Sequence, residues 1–295
     1  MPSPQPTLGG LAAIVFASVL WGTTGTAASF APEVSSLAIG AFAMGGGGLL
    51  LALKSRRSLR REWPRLRQHK RALLWGGLAV AIYPLAFYSA MRLSGVAIGT
   101  LISIASAPLF TVMLEWVFNR IPITRRWLLS FLFGATGIAC LVVGKGESGE
   151  AMTLAASHEL GVVLGLLAGL TYAAYSWIAR RLIEKDLPSE PVVACFFLVA
   201  ASVLLPSLLF TGGPILASLN NAAVALYMAV VPMFIGYVAF GYGLQTVPVS
   251  QVTLITLLEP VVATLLALLV LGESVSPLGW LGMGLVFFCL RLQMK

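Results

Sequence analysis

Residues 191–258 read PVVACFFLVAASVLLPSLLFTGGPILASLNNAAVALYMAVVPMFIGYVAFGYGLQTVPVSQVTLITLL, and none of these 68 residues carries a charge. A helix needs about 20 apolar residues to cross a bilayer, so this stretch is too long for a single crossing. Turn-forming residues divide it at 211–214, 220–221 and 245–248. The stretch therefore predicts two complete membrane spans and the start of a third.

The whole chain has the composition of a membrane protein. Of its 295 residues, 58% are hydrophobic and 10% are charged, and the mean hydropathy is +0.92. Soluble proteins carry about 25% charged residues, so the composition argues against a soluble enzyme, a disordered chain or a disulfide scaffold. Cys140, Cys195 and Cys289 are scattered through apolar runs, which predicts buried packing rather than a disulfide framework or a metal site.

Charge-free segments elsewhere extend the count to ten predicted transmembrane helices. The first seven residues include no basic residue, so we expect the first span to be retained rather than cleaved as a signal peptide. The ninth span includes Glu259. The predicted spans lie near 8–30, 34–53, 72–91, 93–114, 127–144 and 160–179, then two between 191 and 245, one that ends near 271, and one over 277–292.

The basic residues predict an orientation. Nine of the 19 Lys and Arg residues lie within 54–71, which we interpret as a single loop. If both termini are cytoplasmic, 17 of the 19 basic residues face the cytoplasm, and only Arg92 and Lys145 lie outside. This asymmetry follows the positive-inside rule. It predicts a multi-pass inner-membrane protein with both termini in the cytoplasm, and it argues against a nucleic-acid partner.

The two halves of the chain resemble each other at a shift of about 153 residues. The segment TLIS at 100–103 matches TLIT at 253–256, and Trp127-Leu128 matches Trp280-Leu281. Each half holds five predicted helices, and because five is odd, the second half must enter the membrane inverted. Inverted repeats characterise many transporters, with the substrate near the midplane. An old duplication without mechanical meaning is the alternative.

Several residues carry a resemblance to a known family. Trp21-Gly22 lies in span one, Pro108 and Pro260 lie in spans four and nine, and Gly272-Glu273 follows span nine. With ten spans in two inverted halves, this pattern resembles the drug/metabolite transporter superfamily of the EamA type. Within it, the chain is similar to the YddG-type exporters of aromatic and other amino acids.

The resemblance implies an all-α integral membrane fold with two five-helix repeats, at 1–147 and 158–295. It implies a basket of helices around a central cavity lined by spans 1, 3, 4, 6, 8 and 9. Small multidrug antiporters of the same superfamily rely on a buried Glu in their first helix. Spans one and six of this chain contain no carboxylate, which argues against proton-coupled export of cationic drugs. A proton-coupled drug or metabolite antiporter is the alternative to an amino-acid exporter.

Glu259 is the acidic residue placed well inside a predicted span. An ionisable group at that depth is costly and is a functional candidate by default. It could bind the ammonium group of a substrate or carry a proton. The alternative is a neutral side chain that hydrogen-bonds to Thr256 or to backbone freed by Pro260.

Aromatic and polar residues gather on the helices that the resemblance assigns to the cavity. A ring with a hydroxyl offers an apolar wall and a hydrogen bond, although packing or an interfacial belt explains such residues equally. Trp63, Trp75, Trp116, Trp127, Trp177 and Trp280 are predicted to form the belt. The predicted substrate-binding residues are Trp21, Tyr83, Phe87, Tyr88, Tyr172, Tyr175, Tyr237, Tyr242, Gln245, Thr256 and Glu259.

Other residues are predicted to shape the bundle. Pro84, Pro108, Pro232 and Pro260 are predicted gating or kink positions, because a proline removes one helical hydrogen bond. Small residues every four positions, at 161, 165, 169 and 173, predict close helix packing, as do the glycines at 45–48. Glu115 is predicted to form an interfacial ion pair with the arginines at 120, 125 and 126.

These features predict a monomeric carrier that exports an amino acid or similar metabolite by alternating access. No Lys or Arg lies deep within a span, which disfavours phosphorylated substrates, and no phosphate-binding glycine loop is present. His69 and His158 lie in predicted loops, so an intramembrane enzyme is disfavoured. We expect no metal and no cofactor. The expected partners are a small-molecule substrate and the lipid bilayer.

Overall fold

The computed structural model describes residues 6–144 and 155–294, and within these ranges the regular elements are all helices. Lys145 and most of the segment between the two predicted repeats lie outside the described residues. The helices are α1 (Leu8–Gly22), α2 (Thr24–Ser29), α3 (Ser36–Lys54), α4 (Arg56–Leu66), α5 (Lys70–Ser94), α6 (Val96–Asn119), α7 (Arg125–Gly144), α8 (Ala155–Ile183), α9 (Ser189–Leu204), α10 (Leu208–Thr211), α11 (Gly213–Leu216), α12 (Leu219–Met228), α13 (Gly236–Gly243), α14 (Val249–Ile255), α15 (Leu258–Val270) and α16 (Pro277–Gln293).

Nine helical stretches in the described ranges are long and apolar enough to cross a membrane. Five of them are composite. Arg56–Ser94 joins α4 to α5, and Ser189–Thr211 joins α9 to α10. Of the other three, the first joins α1 to α2, another joins α12 to α13 through a π-helical segment (Ala229–Ile235), and a third joins α14 to α15. The helix α16 is apolar but shorter, at 17 residues. The prediction of an all-helical, multi-pass membrane protein is confirmed.

The basic segment 54–71 is helical, and its prediction as a loop is wrong. Within α4, Leu59, Glu62 and Leu66 follow a helical spacing and turn inward, toward α9. The arginines of the segment point outward. Charge density alone does not separate a loop from an amphipathic helix, since only the spacing of the inward residues distinguishes the two.

Contacts between connecting segments gather at one end of the bundle, which we call the basic end. The contacts are Thr7 Oγ1 to Thr246 Oγ1 (2.9 Å), Lys54 Nζ to Glu190 Oε1 (3.0 Å), Arg65 Nη2 to Asp186 O (2.8 Å), Trp127 Nε1 to Ser250 O (3.1 Å) and Arg126 Nε to Leu292 O (2.5 Å). Of the Lys and Arg residues in the described ranges, only Arg92 lies at the opposite end. At that end, the Tyr227 hydroxyl donates to Thr23 at 2.8 Å.

Two buried charges hold the turn between α13 and α14 at the basic end. Glu115 is 4% exposed, and its Oε1 accepts the backbone N–H of Ser250 at 3.3 Å in the first turn of α14. Arg180 Nη1 donates to the carbonyl of Leu244 at 2.5 Å, just after α13. A negative charge at a helix N-terminus and a positive charge at a C-terminus both complement the helix dipole. The described residues thus show Glu115 as a helix cap, in place of the predicted ion pair.

The six tryptophans predicted as an interfacial belt differ in exposure. Trp177 is half-buried, and its indole N–H donates to Asn119 Oδ1 at 3.1 Å. Trp63, Trp75, Trp116 and Trp280 are each more than half exposed. Trp127 is buried, and its indole stacks on Phe131 with 5.4 Å between ring centroids while it donates to the Ser250 carbonyl. The belt prediction is wrong for Trp127, because its ring is buried within the bundle and does not face the lipid.

Small residues allow the helices to approach closely, as the glycine spacing predicts. A β-carbon at Gly161 would lie 2.6 Å from the backbone nitrogen of Ser94, and one at Gly48 would lie 2.7 Å from the Phe197 carbonyl oxygen. The same holds where α7 crosses α16. A β-carbon at Gly282 would lie 2.6 Å from the carbonyl oxygen of Gly137.

The crossing of α7 and α16 yields a prediction with an internal control. Gly282→Ala forces a methyl group against backbone that cannot rotate away, so we expect a loss of roughly 1–3 kcal/mol in the free energy of unfolding. Gly284→Ala, two residues along the same helix, meets no atom within 4 Å and should leave stability unchanged or slightly raised. Thermal unfolding of both purified variants in detergent measures this. Equal melting temperatures would contradict the crossing.

Candidate functional site

A cavity with about 860 Å³ of unfilled space, part of it open to solvent, lies between the helices. The cavity residues on α3 lie near its start and those on α5 in its second half, so the cavity is displaced from the basic end. Its lining residues are Trp21, Thr24, Gly40, Ala43, Met44, Tyr83, Pro84, Phe87, Tyr88, Ser103, Ile104, Ala107, Tyr172, Met228, Met233, Tyr237, Thr256 and Glu259.

Eight of the eleven predicted substrate-binding residues line this cavity. They come from five different membrane-crossing stretches, and the helix packing brings them together although up to 238 positions separate them in sequence. These residues are Trp21, Tyr83, Phe87, Tyr88, Tyr172, Tyr237, Thr256 and Glu259.

The other three predicted residues lie elsewhere. Tyr175 is buried beneath the cavity, where its hydroxyl lies 2.8 Å from that of Tyr237. Tyr242 is 55% exposed on the outside of α13. Gln245 follows the end of α13 and donates to Ser189 Oγ at 2.9 Å at the basic end. Gln245 does not continue the cavity-facing side of α13, because this helix ends two residues earlier.

The cavity also contains residues that the sequence did not indicate. The helix α3 contributes Gly40, Ala43 and Met44 to the cavity lining. This helix is the second predicted span, which the family resemblance did not assign to the cavity. At Gly40 an added β-carbon would lie 2.7 Å from the Tyr88 ring, so this glycine makes room for the aromatic wall. Ser103 lies within the repeated segment 100–103, and that repeat is a signal that could have found it. The other additions are small or apolar residues without a distinguishing pattern.

Aromatic rings close the cavity on the side of the basic end. The Trp21 indole Nε1 donates to the Pro232 carbonyl at 3.0 Å, and the Trp21 ring lies 4.9 Å from Tyr237 and 5.3 Å from Phe240. Phe197 packs on Tyr237 with a centroid distance of 4.4 Å. We call Trp21, Phe197, Tyr237 and Phe240 the aromatic floor. It separates the cavity from the capped turn at the basic end.

Two of the composite helices are interrupted beside the cavity. The break between α1 and α2 at Thr23 follows Trp21, and the break between α14 and α15 falls between Thr256 and Leu258. The two breaks pack together, since a β-carbon at Gly22 would lie 2.9 Å from the carbonyl oxygen of Glu259. Interrupted helices at membrane depth are tolerated where protein or a cavity satisfies the backbone.

The four predicted gating prolines have different surroundings. Pro84 lines the cavity, and both α5 and α6 continue through Pro84 and Pro108. Pro232 lies in the π-helical segment. Pro260 lies in the first turn of α15, where a proline costs no helical hydrogen bond. It therefore marks the start of a helix rather than a kink within one.

Glu259 is the acidic residue that faces the cavity. It lies in the first turn of α15, where the helix dipole favours a negative charge. Its backbone N–H donates to the Thr256 carbonyl at 3.0 Å, so that carbonyl is satisfied. The Thr256 hydroxyl instead accepts from Tyr172 at 3.3 Å and donates to the Thr253 carbonyl. Within the described ranges, the Glu259 carboxylate forms no hydrogen bond or ion pair, and no three metal-ligating side chains cluster.

Comparison with known sequences identifies the family. The sequence model of the EamA-like transporter family matches residues 8–143 and 159–292, which together cover nearly the whole chain. The chain belongs to the EamA-like transporter family. Membership makes it a multi-pass membrane transporter with a small-molecule substrate, and the family is one of transporters rather than enzymes.

Individual relatives within the EamA-like family carry transporter names. The chain is 30% identical to the "Uncharacterized transporter YwfM" of Bacillus subtilis, over 92% of this chain and 89% of the relative. It is 28% identical to a "Probable terminal-alkyne amino-acid exporter" of Streptantibioticus cattleyicolor, over 61% and 58%. It is 27% identical to the "Uncharacterized inner membrane transporter YedA" of Escherichia coli, over 64% and 59%.

A solved crystal structure of a protein shares the fold, with a TM-score of 0.79 at 20% sequence identity. The match covers 97% of this chain and 96% of the other. The agreement therefore extends over the whole bundle rather than one half of it.

The hydroxyl pair beneath the cavity yields a prediction. Tyr237→Phe leaves the Tyr175 hydroxyl buried without its partner, which should cost about 1–3 kcal/mol in the free energy of unfolding. Tyr242→Phe removes a hydroxyl from an exposed ring of the same helix and should leave stability unchanged. Thermal unfolding in detergent compares the two variants. A Tyr242→Phe variant as destabilised as Tyr237→Phe would show that the buried pair does not stabilise the floor.

Proposed function

We propose that this protein exports amino acids, aromatic or apolar ones included, or similar small metabolites by alternating access. The observation that carries the proposal is a cavity whose lining combines one carboxylate with aromatic walls and several hydroxyls. The relative named as a probable amino-acid exporter supports the same substrate class.

The chemistry of the cavity fits a zwitterion with an apolar side chain. The Glu259 carboxylate, which has no partner within the described ranges, suits the ammonium group of a substrate. The Tyr88 hydroxyl, which forms no hydrogen bond within the described residues, offers a hydrogen-bond donor for a substrate carboxylate. The hydroxyls of Thr24 and Ser103 already donate to backbone carbonyls, so they offer hydrogen-bond acceptors. Among the described residues, no Lys or Arg lines the cavity, which argues against phosphorylated substrates, because such ligands are bound by cationic side chains.

The proposed topology has ten spans, with α16 as the tenth, in two inverted five-helix repeats at 1–147 and 158–295. The clustering of basic residues at one end supports an inner-membrane protein with that end and both termini in the cytoplasm. A monomer suffices for this mechanism, because the residues of a single chain line the cavity.

Alternating access requires the aromatic floor and the capped turn to separate. In the present conformation, the Trp21–Pro232 bond closes the floor and the Glu115–Ser250 bond closes the basic end. We propose that the interrupted helices move these contacts apart, and that Pro84, Pro108, Pro232 and Pro260 shape the moving segments. The cavity would then open toward the basic end.

Replacing the cavity carboxylate tests the proposed substrate contact. Glu259→Gln should abolish transport of an amino acid and of the matching amine without its carboxyl group, because both carry the ammonium group. Glu273→Gln changes an exposed carboxylate beyond α15 and should retain wild-type rates. Initial rates of labelled substrate uptake into proteoliposomes measure both variants. Wild-type rates in Glu259→Gln would exclude Glu259 from binding and from proton coupling.

A panel of labelled amino acids tests the substrate class and the energy source. Uptake into proteoliposomes is measured with and without an imposed pH gradient. Facilitated transport predicts uptake that equilibrates and is insensitive to the gradient. Accumulation driven by the gradient would favour the alternative, a proton-coupled antiporter in which Glu259 carries the proton. No uptake of any amino acid by folded protein would contradict the proposed substrate class.

A further inference from the structure

We propose that the outward face of α4 binds the headgroups of anionic phospholipids in the leaflet at the basic end. This face consists of Arg56, Arg60, Trp63 and Arg67, and we call it the arginine–tryptophan face. It is remote from the cavity, and its role is independent of the transported substrate.

The four residues of the face share one side of a helix. Their spacings of four, three and four residues place them in a single stripe along α4 and the turn that follows it. All four side chains are exposed, and Trp63 is 55% exposed.

The inward side of α4 fixes the direction of this face. Leu66 is fully buried, and Leu59 packs against the hydrophobic core, so α4 cannot roll on the bundle without exposing them. Arg65, at the edge of this side, donates to the Asp186 carbonyl and ties the end of α4 to the segment after α8.

The charge of the face is not neutralised by the protein. The one acidic residue of α4 is Glu62, whose side chain is 11% exposed and is paired with Arg61 and Arg65, both at 3.0 Å. Lys54 pairs with Glu190. Within the described residues, Arg56, Arg60 and Arg67 have no acidic partner. The face therefore presents three free guanidinium groups outward.

The position of the face favours a lipid over a soluble anion or an acidic protein. Only a short turn separates α4 from α5, a membrane-crossing helix whose Trp75 is 66% exposed near its start. The face thus lies at the depth of the lipid headgroups. Tryptophan is enriched at that depth, and guanidinium groups bind phosphate through paired hydrogen bonds. Exposed basic clusters beside a membrane span bind anionic lipids.

Lipid retention by the purified full-length chain tests the proposal. The protein is mixed in detergent with equal amounts of phosphatidylglycerol and phosphatidylcholine, and retained lipids are counted by native mass spectrometry. Wild type should retain phosphatidylglycerol preferentially. The combined variant Arg56→Gln, Arg60→Gln, Arg67→Gln should lower this preference about tenfold, because each basic residue near a membrane surface adds to the attraction.

A matched variant controls for net charge. Arg120→Gln, Arg125→Gln, Lys185→Gln removes three exposed charges from the same end of the bundle and should keep the wild-type preference. An equal loss in both variants would overturn the proposal, since net charge alone would then explain retention. The absence of any preference in wild type would also overturn it.

A second measurement needs no charge variant. In bilayers, brominated lipid quenches nearby tryptophan, and the difference between wild type and Trp63→Phe isolates the signal of Trp63. At the same bromine content, brominated phosphatidylglycerol should quench this signal more than brominated phosphatidylcholine. Equal quenching by the two lipids would show that the face does not select anionic headgroups.

Discussion

The structure depends on one constraint: backbone polar groups inside a bilayer have no water to bond with, so each must be satisfied within the protein. A continuous helix satisfies its own backbone groups, whereas an interrupted helix needs hydrogen-bond partners from elsewhere in the protein or from a cavity. Here the interruptions after Gly22 and after Ile255 lie against each other beside the cavity. Two interruptions of the helical backbone thus lie beside the cavity, and each packs against the other rather than against lipid.

Charged residues follow the same logic at the basic end. Glu115 and Arg180 are buried, yet each bonds to a helix terminus whose dipole has the opposite sign. The remaining basic side chains of this end are mostly at the surface. The inward charges therefore stabilise turns, and the outward charges remain available to the surroundings of the protein.

Much of the fold could be predicted from the sequence, because absence of charge over about 20 residues is a direct physical requirement of the bilayer. The aromatic cavity residues were predictable for a related reason, since hydroxyl-bearing rings at membrane depth need partners. The predictions that failed concern residues whose position is set by contacts with distant parts of the chain. Each of three placements depends on a contact with a residue more than 50 positions away in sequence. They are Glu115 as a helix cap, Trp127 in the interior and Tyr175 beneath the cavity. The helical state of 56–66 depends on its packing against α9.

The π-helical segment at Ala229–Ile235 has a consequence for register. A π turn holds about one residue more than an α turn, so it acts as a single inserted residue. Each residue of an α-helix advances the face by about 100°. Tyr237 and Phe240, which follow the segment, reach the floor from this shifted register. A chain with one residue fewer here would keep its hydrophobicity and helix count, yet it would rotate both rings away from the aromatic floor.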